Sequence, residues 1–258
     1  MAYYADMPRY STLGRLAGIA EDQWGLVTRR QAEHAGVSRA TMARLVAGGA
    51  VLERVAHGVY HLAGAPVPDH IDLRAAWLQL APDKPAWERT PAQGVVSHRS
   101  AAALYGLGHL PADHHDFTVP ARRQSRRSDV RVHQRRLTDS EWITLRGLPV
   151  TRPSRIASDL LHDREDPEAV AHVIADAIRG GYDYPGTFTD ALAAHASRYG
   201  LRRGDGIALL DWLLDLVGDP EARAWMDQAR AHVDRLDDWE TNEVTSAHVR
   251  PVAEDVDR

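Results

Sequence analysis

The residues best suited to chemistry lie in one stretch, Ala32–Val46 (AEHAGVSRATMARLV). Arg39 and Arg44 could each donate two hydrogen bonds to the O6 and N7 atoms of guanine, or hold a phosphate. Thr41 could contact the thymine methyl group or a base edge. Ser38 precedes a predicted helix, where a hydroxyl and free backbone N–H groups can bind phosphate. These residue types indicate a face that reads duplex DNA.

The spacing around this face is typical of a helix-turn-helix. Ala32 is small enough for a close crossing of two helices, and Gly36 tolerates the positive φ that the turn between them requires. Val37 follows the turn and can lock the helices together, while Met42 and the apolar residues one turn later can face inward. The cationic and hydroxyl side chains then remain outside, where such a helix enters the major groove.

Short elements on both sides complete a winged helix-turn-helix. An apolar stripe that starts at Leu13 predicts a helix capped by Ser11 or Thr12 and ended by Gly25. Thr28 is expected to cap a second helix that reaches about residue 35. Ser38 is expected to cap a third, which Gly48-Gly49 stops near residue 47.

Two apolar runs, Val51–Val55 and Val59–Leu62, flank His57-Gly58 and predict a hairpin that would act as the wing. A wing of this kind lies along the DNA backbone or in the minor groove. The predicted DNA-contacting residues are Ser38, Arg39, Thr41, Arg44, Arg54, His57, Arg29 and Arg30.

The fold class is α+β, with a winged helix-turn-helix at 1–65 and a mixed strand-and-helix domain at 70–217 after a linker that contains Gly and Pro. An acidic tail at 218–258 is expected to be helical over residues 221–236 and frayed from residue 242 onward. In the second domain we predict helices at 72–80, 98–105, 153–161, 168–178, 187–199 and 206–217, strands at 116–120, 130–137, 143–145 and 148–150, and a loop at 84–93.

The net charge of −5 hides a strong asymmetry along the chain. Seven arginines accompany one acid, Asp129, between residues 122 and 136, and acidic residues dominate after Asp205. A solvated turn is one explanation, but clustered cations repel each other unless an anionic partner lies near. The arginines are Arg122, Arg123, Arg126, Arg127, Arg131, Arg135 and Arg136, and all except Arg131 are assigned to a basic surface of the second domain.

Several other classes of protein are disfavoured. The chain has no cysteine, which excludes disulfides and thiolate metal sites. We see no secretory signal and no apolar run of membrane-spanning length, so we expect a cytoplasmic protein that does not bind membranes. His109, His114, His115 and Asp116 could ligate zinc, but a polar loop is the favoured explanation.

Enzyme motifs are equally weak. The single lysine, Lys84, lies in a proline-bearing loop, where it does not fit a nuclease site. Ser97, His98 and Asp159 could be imagined as a hydrolase triad, but the Gly-x-Ser-x-Gly motif is absent. There is also no glycine-rich loop that ends in Gly-Lys. We therefore expect no enzymatic activity, no cofactor and no metal.

The stretch Leu13–Ala65, with its ending LERVAHGVY, resembles the N-terminal domain of AbiEi-family antitoxins of type IV, abortive-infection toxin–antitoxin systems. Three further segments resemble the C-terminal domain of that family: Val96–Leu107 (VSHRSAAALYGL), Phe117–Pro120 and Leu148–Pro153. Together the resemblance covers roughly residues 10–180. The acidic tail departs from it, and the role of that tail stays open.

The resemblance implies two functions. One is repression of the protein's own operon, by binding of the winged domain to inverted repeats in promoter DNA. The other is neutralisation of a nucleotidyltransferase-like toxin encoded next to it, which needs the C-terminal domain. Two alternatives remain: a stand-alone winged-helix regulator without a toxin, and an interaction protein whose winged domain binds only protein.

Overall fold

The computed structural model describes residues 11–49, 51–125 and 127–247, with side chains up to residue 235. Two compact units can be separated. The first runs to Tyr105 and includes Pro111–Thr151, and the second contains Gly106–Leu110 and the chain from Arg152 onward. The expected boundaries at residues 65, 70 and 217 stay predictions. In the described part of the chain, no helix has the length and apolar content that crossing a membrane requires.

The first unit begins with the predicted order of three helices and a hairpin. The elements are α1 (Thr12–Glu21), β1 (Leu26–Thr28), α2 (Arg29–His34), α3 (Arg39–Ala47), β2 (Leu52–Ala56) and β3 (Val59–Leu62). The strands form an antiparallel sheet in the order β1-β3-β2. The α+β class with an N-terminal winged helix-turn-helix is thus confirmed.

Side-chain caps fix where the three helices start. Ser11, rather than Thr12, accepts a hydrogen bond from the Gly14 N–H at 3.1 Å. Thr28 caps α2 in a reciprocal capping box with Gln31. Ser38 caps α3 by accepting from the Thr41 N–H at 3.2 Å. Each cap satisfies a backbone donor that has no partner inside its own helix, so the helices begin where these residues place them.

The turn between α2 and α3 depends on Gly36, whose φ is +76°. The N–H of the next residue, Val37, donates to the Ala32 carbonyl at 2.9 Å and closes the turn. Val37 and Met42 then pack into a buried core with Leu16. Burial of two such side chains stabilises the arrangement by roughly 1.5–3 kcal/mol each.

A buried pair of glutamines, which the sequence does not predict, joins this domain to the chain after the next helix. The Gln23 side-chain N–H donates to Oε1 of Gln31 at 2.7 Å, and the Gln31 side-chain N–H donates back to Oε1 of Gln23 at 3.1 Å. Gln31 also donates to the Lys84 carbonyl at 3.0 Å, and Gln23 accepts from the Ala86 N–H at 3.1 Å. Residues 84–86 therefore complete the polar core of the winged domain.

The rest of the first unit is a second sheet with two helices. Its elements are α4 (Ile71–Leu80), β4 (Val95–Val96), α5 (His98–Tyr105), β5 (His115–Val119), β6 (Val130–Gln134), β7 (Trp142–Leu145) and β8 (Leu148–Thr151). The strand order is β6-β5-β4-β8-β7, with parallel β5–β6 and β4–β8 pairs and the other neighbours antiparallel. The predicted loop at 84–93 contains two short 3₁₀ turns, Ala86–Glu88 and Pro91–Gln93.

The second unit is helical. It contains α6 (Pro153–His162), α7 (Pro167–Arg179), α8 (Pro185–Leu192), α9 (Gly206–Val217) and α10 (Ala222–Ala247). The single helix predicted at 187–199 is wrong, because α8 tightens into 3₁₀ turns over Ala193–Tyr199 before Gly200. Fraying from residue 242 is also wrong as far as Ala247, since no glycine or proline interrupts α10.

Replacement of Gly36 by alanine should destabilise the protein. A β-carbon is unfavourable at φ +76°, by about 1–2 kcal/mol, whereas the nearest atom it would meet is the flexible end of Arg15, 3.1 Å away. Gly18 is the matched control: it lies exposed within α1 with open space around it, so Gly18→Ala should stabilise by about 0.5–1 kcal/mol. Urea unfolding measures the change in the free energy of unfolding for both variants. Equal changes in Gly36→Ala and Gly18→Ala would contradict the proposed turn.

Replacement of Gln31 by alanine should lower stability by about 1–3 kcal/mol, because it removes the side-chain acceptor of the buried Thr28 N–H. It also removes one hydrogen bond each from the Gln23 amide and the Lys84 carbonyl, which keep their bonds to Leu26 and Arg89. The control is Gln134→Ala at the exposed end of β6, which should change stability by less than about 0.5 kcal/mol. Thermal unfolding followed by circular dichroism compares them. A Gln31→Ala protein as stable as the parent would show that the glutamine pair is dispensable.

Candidate nucleic-acid interface

The outer face of α3 carries the side chains that the sequence assigns to base reading. Arg39 and Arg44 are exposed and Thr41 is half-buried, while Met42 lies in the core. Ser38 is exposed at the start of the helix. The same burial that fixes the inner face therefore leaves two arginines and two hydroxyls facing solvent.

A chain of hydrogen bonds organises part of this face. The Ser38 and Thr41 hydroxyl oxygens lie 3.0 Å apart, and the Arg44 guanidinium donates to the Thr41 hydroxyl at 3.2 Å. Arg44 is thereby held along the helix toward its N-terminus. Among the described residues, no carboxylate pairs with Arg39 or Arg44, so both charges are available to an outside anion.

The wing is the β2–β3 hairpin, and its tip is fixed by three contacts. The Arg54 guanidinium lies 3.2 Å from Nδ1 of His57, next to an irregularity in the strand pairing. The His57 carbonyl accepts from the Gln79 amide at 2.7 Å, and the Gly58 carbonyl accepts from the Arg29 N–H at 2.9 Å. The contact with Gln79 in α4 is not predictable from the sequence, because Gln79 carries no signal beyond a polar position in an apolar helix.

Arg29 and Arg30 are the first two residues of α2. Arg29 is half-buried and lies 3.6 Å from the Glu33 carboxylate, one turn further on. Arg30 is exposed. The two arginines thus differ, since one has a weak intrahelical partner and the other projects into solvent.

The predicted basic surface of the second domain is divided between two places. Arg123 and Arg127 line a cavity that also contains Arg29, Arg30 and His57, whereas Arg135 and Arg136 line a separate cavity beside Pro120. Arg122 is exposed in the loop before β6, and Arg126 lies outside the described residues.

Arg127 is already paired. Its guanidinium binds both carboxylate oxygens of Asp129 and the side-chain oxygen of Gln79. The hydrogen bonds from Arg127 lower the pKa of Asp129 to about 2, against the opposing effect of burial. Asp129 therefore stays charged and holds Arg127 against the protein, whereas the neighbouring Arg123 remains exposed.

The residues considered for other chemistry have partners of their own. Asp116 is buried, and its carboxylate lies 2.9 Å from Nε2 of His133. Asp159 forms a buried ion pair with Arg155, one helical turn away. His109 belongs to the second unit, near His172. Among the described residues, the histidines at 109, 114 and 115 do not gather with Asp116 into a metal-sized group.

Comparison with known protein families gives a match to the winged domain. A family model described as "Transcriptional regulator, AbiEi antitoxin" matches residues 15–63. No curated protein is significantly similar to the chain. The matched segment runs from within α1 to the end of β3, so it contains α3 and the wing.

This match agrees with the resemblance seen in the sequence of the winged domain. The members of the family are regulators rather than enzymes. Over residues 15–63, the chain is thus similar to the AbiEi antitoxin family of transcriptional regulators.

Proposed function

We propose that this protein binds promoter DNA sequence-specifically through the outer face of α3 and represses its own operon. One observation carries the proposal: Arg39 and Arg44 are exposed and unpaired by any described carboxylate, on a helix that Met42 holds against the core. Helix-turn-helix proteins place this helix in the major groove. The family match over residues 15–63 supports a regulatory role.

Each side chain has a role that its chemistry suits. Arg39 and Arg44 read guanine edges, and Thr41 contacts a neighbouring base while it orients Arg44. Ser38 and the free N–H groups of the first turn of α3 bind a phosphate. Arg54 and His57 on the wing contact the flanking backbone, together with Arg30 at the start of α2. Repression at inverted repeats requires two copies of this face, one for each half-site.

The second part of the proposal is toxin neutralisation. We infer that the protein is the antitoxin partner of a nucleotidyltransferase-like toxin and acts in the cytoplasm, which rests on the family match together with the resemblance of residues 96–153 to the family's C-terminal domain. The second β-sheet and the helical unit offer the surface for this function. DNA reading and neutralisation would then depend on different parts of the chain.

The double substitution Arg39→Ala/Arg44→Ala should weaken binding to the upstream promoter DNA by about 100-fold or more, because each bidentate arginine–guanine contact contributes roughly 1–3 kcal/mol. Fluorescence anisotropy with the operator and a scrambled duplex measures this loss. The matched control is Arg202→Ala/Arg203→Ala, which removes two exposed charges from the second unit and should leave affinity within about twofold. Full operator affinity in the Arg39/Arg44 variant would remove the assignment of α3 as the reading face.

Co-expression with the adjacent toxin gene tests the second function. Cells that express the toxin should regain growth with the full chain, and also with Arg39→Ala/Arg44→Ala, since neutralisation does not use the DNA-reading face. Colony counts with the toxin under a separate, inducible promoter give the measurement. Absence of rescue by the full chain, or of any nucleotidyltransferase gene beside it, would favour a stand-alone regulator.

A further inference from the structure

A concave site within the first unit is not used by the proposed reading face. A cavity of about 450 Å³ opens between the wing tip, the start of α2, α4 and β6. The wing contributes His57 and Gly58, and the loop before β6 contributes Arg123. A volume of this size falls in the usual range for small-molecule sites.

The charge on the wall of the cavity has one sign. Among the described residues, four arginines line it, Arg29, Arg30, Arg123 and Arg127, and no aspartate or glutamate does. Asp129 and Glu33 approach Arg127 and Arg29, but no described residue forms an ion pair or hydrogen bond with the side chain of Arg30 or Arg123. Like charges around one concavity repel each other, and an anion between them relieves that repulsion.

The floor of the cavity is apolar. It is lined by Leu80 at the end of α4, by Pro82 just after that helix, and by Val130 and Val132 of β6. A bare inorganic anion gains nothing from such a floor, and a DNA backbone would leave it unfilled. A flat organic group fits there, because it removes apolar side chains from water while an attached anionic group meets the arginines.

We propose that this cavity binds a small organic anion of nucleotide size, with a phosphate or carboxylate group held by Arg30 and Arg123 and a ring against Leu80 and Val132. Gln79 contributes a fixed polar wall, because its side chain is already hydrogen-bonded to the His57 carbonyl and to Arg127. The cavity shares Arg30 and His57 with the proposed contacts to the DNA backbone, but Arg39 and Arg44, which are proposed to read the bases, do not line it.

Titration calorimetry on the full chain, without DNA and at low salt, tests the proposal. The probes are the four ribonucleoside 5′-monophosphates and the anionic aromatic dye 1-anilinonaphthalene-8-sulfonate. We expect at least one of them to bind at a single site with a Kd below about 1 mM. Adenosine and inorganic phosphate, which each lack one half of the required chemistry, should bind at least about tenfold more weakly than the bound probe.

Three variants locate the binding. Arg123→Ala removes an exposed cation and Val132→Phe fills the floor without a change in charge, and each should weaken binding by about tenfold or more. Arg39→Ala/Arg44→Ala should bind the probe as tightly as the parent protein but lose affinity for operator DNA. The experiment can therefore contradict the proposed DNA reading and the proposed anion site independently. The proposed site would be overturned if none of the five probes binds, including the case in which the protein binds duplex DNA but no probe. It would also be overturned if the Arg123→Ala and Val132→Phe variants bind the probe as tightly as the parent protein.

Discussion

The position of α3 depends on the burial of Val37 and Met42 behind the Gly36 turn. The turn reverses the chain within a few residues, and Val37 then enters the core beside Ala32 and Leu16. Because an α-helix advances about 100° per residue, anchoring residue 42 inward turns residue 44 to the opposite side. Arg39 lies only three residues before Met42, near the same side of the helix, and it is exposed at the first position of α3. The core therefore fixes the outward direction of Arg44, and the start of the helix fixes the position of Arg39. Neither arginine needs an ion-pair partner to remain exposed to solvent. Arg44 is further restrained by its hydrogen bond to the Thr41 hydroxyl.

A polar cluster supports this apolar core. Gln23 and Gln31 are buried and exchange hydrogen bonds, and they also satisfy backbone groups of residues 84–86. A buried amide destabilises the fold when it has no hydrogen-bond partner, so only an arrangement that pairs these groups is stable. The cluster therefore favours one arrangement of the winged domain and the following segment. The wing tip is held in the same way, through Gln79 of α4. Elements outside residues 15–63 thus contribute to the geometry of the family's domain.

Local signals were sufficient to predict the winged domain, since the Thr28 and Ser38 caps, Gly36 and the His57-Gly58 hairpin each act within a few residues. Contacts between distant segments were not predictable from them. The Gln31 side chain donates to the carbonyl of Lys84, which lies 53 residues further along the chain, and β4 pairs in parallel with β8. Neither contact follows from local patterning. The arginine run was recognised as basic, but its division between a paired Arg127, an exposed Arg123 and the separate pair at 135–136 depends on where α4 and β6 meet.

Sequence-specific binding by this protein requires that side chains of α3 touch guanine bases in the major groove. Methylation interference at guanine N7 on the upstream promoter tests it most directly, with the parent protein, Arg39→Ala and Arg44→Ala compared at concentrations that give equal occupancy. Methylation of particular guanines in each half-site should block binding of the parent, and each variant should become insensitive at its own subset of those guanines. Identical interference patterns for all three proteins would contradict it.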